Sequence, residues 1–182
     1  MSEQPTASSQ RRPATPEEAK ALAHPLRIRI LRLCWQRPHT NKELGECLER
    51  EPGALLHHVR RLHRTGFLEL SETRPGPRGT TEKLYRATGK SWTLDVADTD
   101  QSVAFAALEA FREEARAAGA QRQFLINRFA LQLSDQRAHE LRQRLHDLVA
   151  EYSASPDAHG QIYGAFFGMH LDAREDSPPP DS

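Results

Sequence analysis

Residues 40–88 constrain the fold of this 182-residue chain more than any other part of the sequence. Residues 40–43 read Thr-Asn-Lys-Glu, a capping box in which Thr and Glu satisfy the free N–H groups that begin a helix. Pro52 begins a second helix that ends at Gly66, and its apolar side chains recur at helical spacing: Leu55, Val59 and Leu62. Two short helices joined by a tight turn predict a helix-turn-helix.

Two extended runs rich in β-forming residues, 67–70 and 80–88, follow the second helix directly. The residues between them include Arg-Pro-Gly-Pro-Arg-Gly at 74–79, which is typical of a turn. We therefore predict a β-hairpin with a basic tip. A helix-turn-helix followed by a hairpin is the element order of a winged helix, in which the hairpin, or wing, lies beside the second helix and reaches the DNA backbone.

The residues before this region predict two more helices. A second capping box at 15–18 starts a short helix that runs to about Ala23, and Pro25 starts another that ends near Trp35. Residues 1–14 and 173–182 contain few apolar side chains, so both ends are predicted to be disordered. No run approaches the ~18 to 20 apolar residues of a membrane span, and no apolar leader follows a charged start. The sequence therefore indicates a cytoplasmic protein, and binding of DNA by the predicted winged helix would make it nucleoid-associated.

The C-terminal part, residues 99–172, is predicted to be a separate dimerisation segment. A helix is predicted over 99–118 and an amphipathic helix over 135–152, while 128–133 and 162–171 predict strands, the second of them buried. The apolar residues of the first helix fall on one face, which is core or interface material: Val103, Ala107, Phe111 and Ala115. The candidate dimer-interface residues are Phe105, Leu108, Phe111, Leu145 and Leu148.

These elements predict a mainly α fold with a small sheet, of the α+β class. The N-terminal winged helix-turn-helix domain would span residues 15–92, and the C-terminal helical or α+β segment would follow it.

The formal net charge of zero hides an uneven distribution of charge along the chain. Residues 53–90 contain eight Lys or Arg side chains against three Asp or Glu side chains. Such a local excess attracts a polyanion, although a solvated basic surface would give the same count.

The second helix of the helix-turn-helix carries much of this basic charge on the face opposite its apolar residues. An α-helix fits the DNA major groove, where Arg pairs with guanine while other cations neutralise phosphates. The candidate DNA-binding residues on the two helices are Thr40, Asn41, Gly53, Ala54, His57, His58, Arg60, Arg61 and Arg64, and those on the hairpin are Arg74, Arg78, Lys83 and Arg86.

Three segments resemble the ArsR-type winged-helix transcriptional regulators: Ala21-Leu-Ala-His-Pro-Leu-Arg-Ile-Arg-Ile-Leu, Asn41-Lys-Glu-Leu and Leu55-Leu-His-His-Val-Arg-Arg-Leu-His-Arg-Thr-Gly-Phe-Leu. The resemblance covers about residues 18–92. It implies a homodimer that places one recognition helix per subunit in the major groove of a two-fold operator, and an effector that releases or recruits DNA. Residues 100–182 exceed the single closing helix of the compact metal sensors, so the effector and the dimer geometry are not carried over.

The metal sites of that family have no counterpart in this sequence. Its arsenic and cadmium sensors place a Cys-x-Cys pair where this chain has Thr40 and Lys42, and its zinc sensors use Asp and His on a helix that corresponds to 99–118, which contains no His. We therefore expect neither a metal nor a cofactor. Cys34 and Cys47 lack Cys-x-x-Cys spacing and are expected to be reduced, half-buried thiols.

No P-loop, nucleophile elbow, His-Glu-x-x-His or dinucleotide-binding motif is present, so we do not expect an enzyme. The sequence favours a dimeric, sequence-specific repressor that reads double-stranded DNA with the helix at 52–64 and the wing at 67–88. Two alternatives stay open: a winged-helix module that binds protein, and a regulator that binds a small-molecule effector in its C-terminal half.

Overall fold

The computed structural model describes residues 11–96, 101–119, 127, 130–155, 157 and 160–171. Within them, helices dominate and two small sheets complete the N-terminal part, so the predicted α+β class is confirmed. None of the described helices is both long and apolar enough to cross a membrane. The predicted disorder of residues 1–10 and 173–182 lies outside the described residues.

The first two helices begin where the capping residues predict. Helix α1 (Pro16–Leu22) starts with the complete Thr15–Glu18 capping box. Helix α2 (Pro25–Gln36) starts at His24, whose Nδ1 accepts the Leu26 N–H at 3.2 Å. Arg27 of α2 joins the two helices, because its guanidinium donates hydrogen bonds to the carbonyl oxygens of Ala21 and Lys20 at the end of α1.

Helices α3 (Asn41–Leu48) and α4 (Pro52–Arg64) form the predicted helix-turn-helix. The capping box of α3 is present in full, and α3 ends at Glu49, whose backbone is left-handed with a φ of 53°. The helices approach closely at Gly45, because a Cβ at this position would lie 2.7 Å from the Arg50 carbonyl oxygen. A glycine is therefore required where the turn crosses α3.

A three-stranded antiparallel sheet in the order β2-β4-β3 carries the wing. Strands β3 (Leu68–Pro75) and β4 (Thr81–Ala87) form the predicted hairpin, and β2 (His39–Thr40), between α2 and α3, pairs with β4. A short 3₁₀ turn, Pro77–Gly79, forms the tip. The element order through residue 87 is thus that of a winged helix-turn-helix.

A second sheet that the sequence did not predict joins the two ends of this region. Strand β1 (Arg12–Pro13) pairs in parallel with β5 (Leu94–Asp95), and Ala14 is buried. The prediction that residues 11–14 are disordered is therefore wrong, because β5 supplies backbone partners and the core covers Ala14.

The hydrophobic core lies between α1, α2, α3, α4 and the wing strands, and its largest fully buried side chains include Ile30, Leu44, Leu55, Leu62 and Phe67. Helix α5 (Gln101–Ala118) joins this core through Val103, and Ala106 and Ala110 of the same helix are also buried. The buried stripe is thus rotated from the predicted one, which contained Ala107 and Phe111. Arg29 and Arg32 of α2 pair with Glu113 and Glu114 of α5, the first pair at 2.6 Å.

The C-terminal part differs most from the sequence-based expectation. Helix α6 (Asp135–Ala154) forms at the predicted place, but none of its residues is buried. No strand forms at residues 130–133 or 160–171, and Ile162, Phe167 and Leu171 are exposed. Both strand predictions are wrong for these described residues; 128 and 129 lie outside them. The apolar run at 162–171 predicts a strand, but within the described residues it has no strand to pair with.

Candidate nucleic-acid interface

The outward face of α4 is exposed and basic. His57, Arg60 and Arg64 are exposed, Arg61 is half-buried, and the opposite face packs into the core through Leu55, Val59 and Leu62. The amphipathic pattern thus sets the rotation of the helix, because burying the three apolar residues turns the cations outward. The ion pair between Arg64 and Glu17 is long, at 3.7 Å, and both side chains are largely exposed.

The N-terminal end of α4 leaves its backbone open to solvent. Gly53 and Ala54 are exposed, and a Cβ built on Gly53 would meet no atom within 4 Å. The protein itself therefore does not require glycine at this position. The Ala54 N–H donates to the Glu51 carbonyl oxygen at 3.0 Å. The positive end of the helix dipole favours an anion at such a helix end.

His58 lies on the inner side of α4 and is only 5% exposed. Its ring centroid lies 4.5 Å from that of His24 and 3.7 Å from that of His57, and its Nδ1 lies 3.4 Å from the guanidinium of Arg27. Burial, followed by the nearby charges of His57, His24 and Arg27, lowers the pKa of His58 to about 4. The assignment of His58 to the DNA-binding residues is therefore corrected: it is a neutral packing residue between α2 and α4.

Thr40 and Asn41, at the start of α3, both form hydrogen bonds within the protein. Thr40 is buried, and its hydroxyl oxygen accepts the Glu43 N–H at 3.1 Å in the capping box. The Asn41 amide donates to the Pro52 carbonyl oxygen at 2.5 Å, which joins the start of α3 to the start of α4. Thr40 is therefore removed from the candidate interface, since a buried cap residue satisfies the helix end instead of binding DNA. Half-buried Asn41 stays a predicted contact.

The wing presents its predicted cations in different environments. Lys83 is exposed and Arg86 is half-buried on β4, while Arg74 near the end of β3 lies between two carboxylates. The side chain of Arg78 lies outside the described residues.

Sequence reasoning missed an ionic cluster around the buried Glu18, beside the end of α4. Glu18 accepts two hydrogen bonds from Arg12, at 2.6 and 2.8 Å, and pairs with Lys90 at 2.8 Å. Lys90 also donates to the Thr65 carbonyl oxygen at 2.6 Å and lies over the Phe67 ring. Arg12 above all, then Lys90 and the Thr15 N–H, hold the pKa of Glu18 well below its usual range. In the sequence, only the capping-box position of Glu18 indicates a role for this side chain, and that position predicts a helix cap and not an ion pair.

A second exposed surface is apolar and lies on the C-terminal helices. Phe105 of α5 is 67% exposed, and Leu108 and Leu148 are also exposed, while Phe111 and Leu145 are half-buried. Phe111 stacks on Phe166 at 5.8 Å between ring centroids. All five predicted interface residues therefore lie at the surface or at its edge.

The described residues contain no group of three His, Cys, Asp or Glu side chains arranged to hold a metal ion. Both cysteines are free. Cys34 is buried in α2, which raises its pKa to about 12, whereas Cys47 is exposed, so neither thiol is half-buried as predicted.

The fold and this surface define a winged helix-turn-helix with an exposed basic second helix. No family model and no curated protein sequence matches the chain. Among solved structures, a double mutant of Lactococcus lactis ZitR in apo form is 18% identical with a TM-score of 0.31, covering 70% of this chain and 81% of that one. A single mutant of the same protein is 17% identical with a TM-score of 0.29, covering 73% and 74%. At these TM-scores the likeness carries no argument about function, which has to be inferred from the side chains of the interface itself.

Proposed function

We propose that this protein is a sequence-specific DNA-binding transcriptional regulator, and that α4 is its recognition helix. The observation that carries the proposal is the outward face of α4, where His57, Arg60 and Arg64 are exposed beside an open N-terminal end. Arg and His donate to base edges in the major groove, and the wing lies beside α4 to reach the backbone.

The contacts divide into two kinds. His57, Arg60 and Arg61 are assigned to base edges, and Gly53 and Ala54 to close approach of the backbone to a phosphate. The remaining candidates are assigned to phosphates or the minor groove: Arg64, Arg78, Lys83 and Arg86. Base contacts change which sequence is bound, whereas phosphate contacts strengthen binding to every sequence.

We propose further that the protein acts as a homodimer and represses transcription by occluding the promoter. Helix α6 buries none of its residues, and Phe105 and Leu108 of α5 are exposed, so a second copy is the proposed cover for these apolar side chains. A two-fold dimer would present two copies of α4 to half-sites about one helical turn apart.

The test is selection of bound sequences from a random duplex pool at ~150 mM salt, which suppresses purely electrostatic binding. Enrichment of an inverted repeat is expected. A folded protein that enriches no motif would contradict the proposal, and this result would favour the alternative, a winged-helix module that binds protein.

A small-molecule effector between α5 and α6 is a second element of the proposal. The exposed apolar residues of both helices favour it over an effector site in the charged helix-turn-helix. A thermal-shift screen with hydrophobic ligands tests this, and a shift that vanishes in a fragment ending at residue 96 is expected. An equal shift in that fragment would place the ligand elsewhere.

A further inference from the structure

Arg74 on the wing lies between two carboxylates from different elements. Its Nε donates to Glu82 Oε2 at 2.9 Å, and a terminal nitrogen donates to Glu43 Oε1 at 3.2 Å. We propose that Arg74 is a wing-positioning residue and not a phosphate contact. In this role it ties the hairpin to the first helix of the helix-turn-helix, and so sets where the wing lies for the proposed DNA binding, on which this inference rests.

Arg74, Glu43 and Glu82 form one ionic cluster, and Glu43 connects this cluster to α3. Its Oε2 accepts the Thr40 N–H at 2.7 Å as part of the capping box, which leaves Oε1 for Arg74. The Thr40 N–H first, and then the Thr40 hydroxyl and Arg74, lower the pKa of Glu43, so it is ionised at neutral pH. One carboxylate thus caps α3 and also holds the wing.

Glu82 fixes the cluster on the other strand of the hairpin. Arg74 and Glu82 are directly opposed in the β3–β4 register, where oppositely charged side chains stabilise the pair. The turn at Gly76 closes over Glu82, because the Gly76 N–H donates to the Thr80 carbonyl oxygen at 2.7 Å. A Cβ at Gly76 would lie 2.8 Å from Glu82 Cγ, so glycine leaves the space that the glutamate stem occupies.

The charges of the cluster argue against a phosphate at Arg74. Two carboxylates contact one guanidinium, and the other nearby cation, Arg37, lies 3.8 Å from Glu43. Nε and one terminal nitrogen of Arg74 already donate to carboxylates, so a phosphate would have to compete with two negative charges for the same guanidinium. Lys83, on the same hairpin, is exposed and forms no ion pair among the described contacts, so it is the better phosphate contact.

The first experiment measures backbone hydrogen exchange of the free full-length protein. Arg74→Ala and Glu82→Gln should each speed exchange of the amides of β3 and β4 near the tip by about threefold or more, because a networked ion pair is lost. The amides of α4 should be unchanged. Lys83→Ala is the matched control on the same hairpin and should leave wing exchange as in the wild type. Unchanged wing exchange in both Arg74→Ala and Glu82→Gln would overturn the proposal.

The second experiment is a double-mutant cycle on DNA affinity with Arg74→Ala and Glu82→Gln. The general gain from removing one negative charge near DNA cancels in the cycle, which leaves the coupling between the two residues. If Arg74 positions the wing, Glu82→Gln should be less favourable for binding when Arg74 is present, by about threefold or more. If Arg74 contacts phosphate, Glu82→Gln frees it, and the coupling has the opposite sign.

The two experiments separate this inference from the proposed function. If the wild-type protein binds no DNA selectively, the proposed function fails, but hydrogen exchange still decides whether Arg74 orders the wing. If DNA is bound and the coupling shows that Glu82 restrains Arg74 from DNA, the positioning role fails while the proposed function stands.

Discussion

Lys90 joins three parts of the molecule, and replacing it with Met removes its charge while keeping a long apolar stem. The ammonium group pairs with Glu18 at 2.8 Å, donates to the Thr65 carbonyl oxygen at 2.6 Å and lies 5.2 Å from the centroid of the Phe67 ring. The first contact reaches α1, and the second satisfies a carbonyl just beyond α4. We therefore expect Lys90→Met to lower the stability of the whole N-terminal domain.

The expected loss of unfolding free energy is about 2 kcal/mol. A hydrogen bond to a charged group contributes ~1.5–3 kcal/mol when it is buried. The side chain of Lys90 is 27% exposed, so the lower part of that range applies. The cation–π contact adds ~0.5 kcal/mol, which a Met sulfur against the ring partly replaces. Glu18 keeps both hydrogen bonds from Arg12, so its carboxylate is not left unpaired.

The loss should depend on pH in a defined direction. The pKa of Glu18 is depressed in the folded protein from its ordinary value of 4.5, so its contribution to stability is present above that pH and is lost as the pH falls. Lys90→Met removes part of this depression, while Arg12 and the Thr15 N–H keep the rest. The titration of unfolded Glu18 is common to both proteins, so the difference between wild type and variant is constant at neutral pH and shrinks only as the pH falls below the folded-state pKa of Glu18 in the variant.

Urea unfolding followed by tryptophan fluorescence measures this difference at pH 7 and at a series of lower pH values. Lys83→Met, which replaces an exposed lysine on the wing, is the control and should change stability by less than ~0.5 kcal/mol. A loss for Lys90→Met below ~0.5 kcal/mol at pH 7 would refute the role of the ionic cluster. A loss that does not shrink once Glu18 is protonated in the folded variant would show that packing, and not charge, is responsible.

Four further outcomes are expected. Arg60→Ala should weaken binding to the selected sequence by ~1–3 kcal/mol and binding to random DNA only slightly. Lys83→Ala should weaken binding to both and lower the slope of log affinity against log salt concentration by about one. Equal losses of affinity on the two DNAs for both variants, measured by titration, would contradict the division into base and phosphate contacts. Gly53→Ala should raise helix stability by up to ~1 kcal/mol and still weaken DNA binding, because the added methyl meets only the ligand. The pKa of His58 in the folded protein, about 4, lies below its ordinary value of 6.5, so the free energy of unfolding rises with pH between these values. His58→Leu should reduce this rise by up to ~1.4 kcal/mol per pH unit, as measured by unfolding at several pH values. Phe105→Glu should shift the protein to monomer in sedimentation and lower its melting temperature only by the stabilisation that dimerisation supplies. A lower melting temperature at unchanged mass would show that Phe105 packs internally.

The N-terminal helices were predictable because their ends are chemically marked. Capping boxes at Thr15 and Thr40, prolines at 16, 25 and 52, and the apolar spacing of α4 each specify a local structure that the core then stabilises. These local signals agree with the tertiary packing, so the predicted bounds differ from the observed ones by only a few residues.

The sequence does not predict whether a polar residue lies at the surface or forms contacts inside the protein. His58 and Thr40 are polar and lie in the predicted interface, but their burial depends on neighbours such as His24 and Leu84, which sequence spacing does not identify. The apolar run near Phe166 predicts burial without naming a partner, so a strand was inferred where the described chain is irregular. Arg74 was predictable as a cation of the wing, whereas its two carboxylate partners were not.

The pairing of β1 with β5 determines where this domain can be cut. A fragment limited to residues 15–92 would lose both strands and would remove Arg12, the residue that holds Glu18 with two hydrogen bonds. A fragment spanning 11–96 keeps the backbone ladder, the ion pair and the bond between the Ala14 N–H and the Asp95 carbonyl oxygen. The same pairing holds residues 94–95, which lead into α5, against residues 12–13. A proteolytic cut after Arg12 would therefore destabilise the connection between the N-terminal domain and α5.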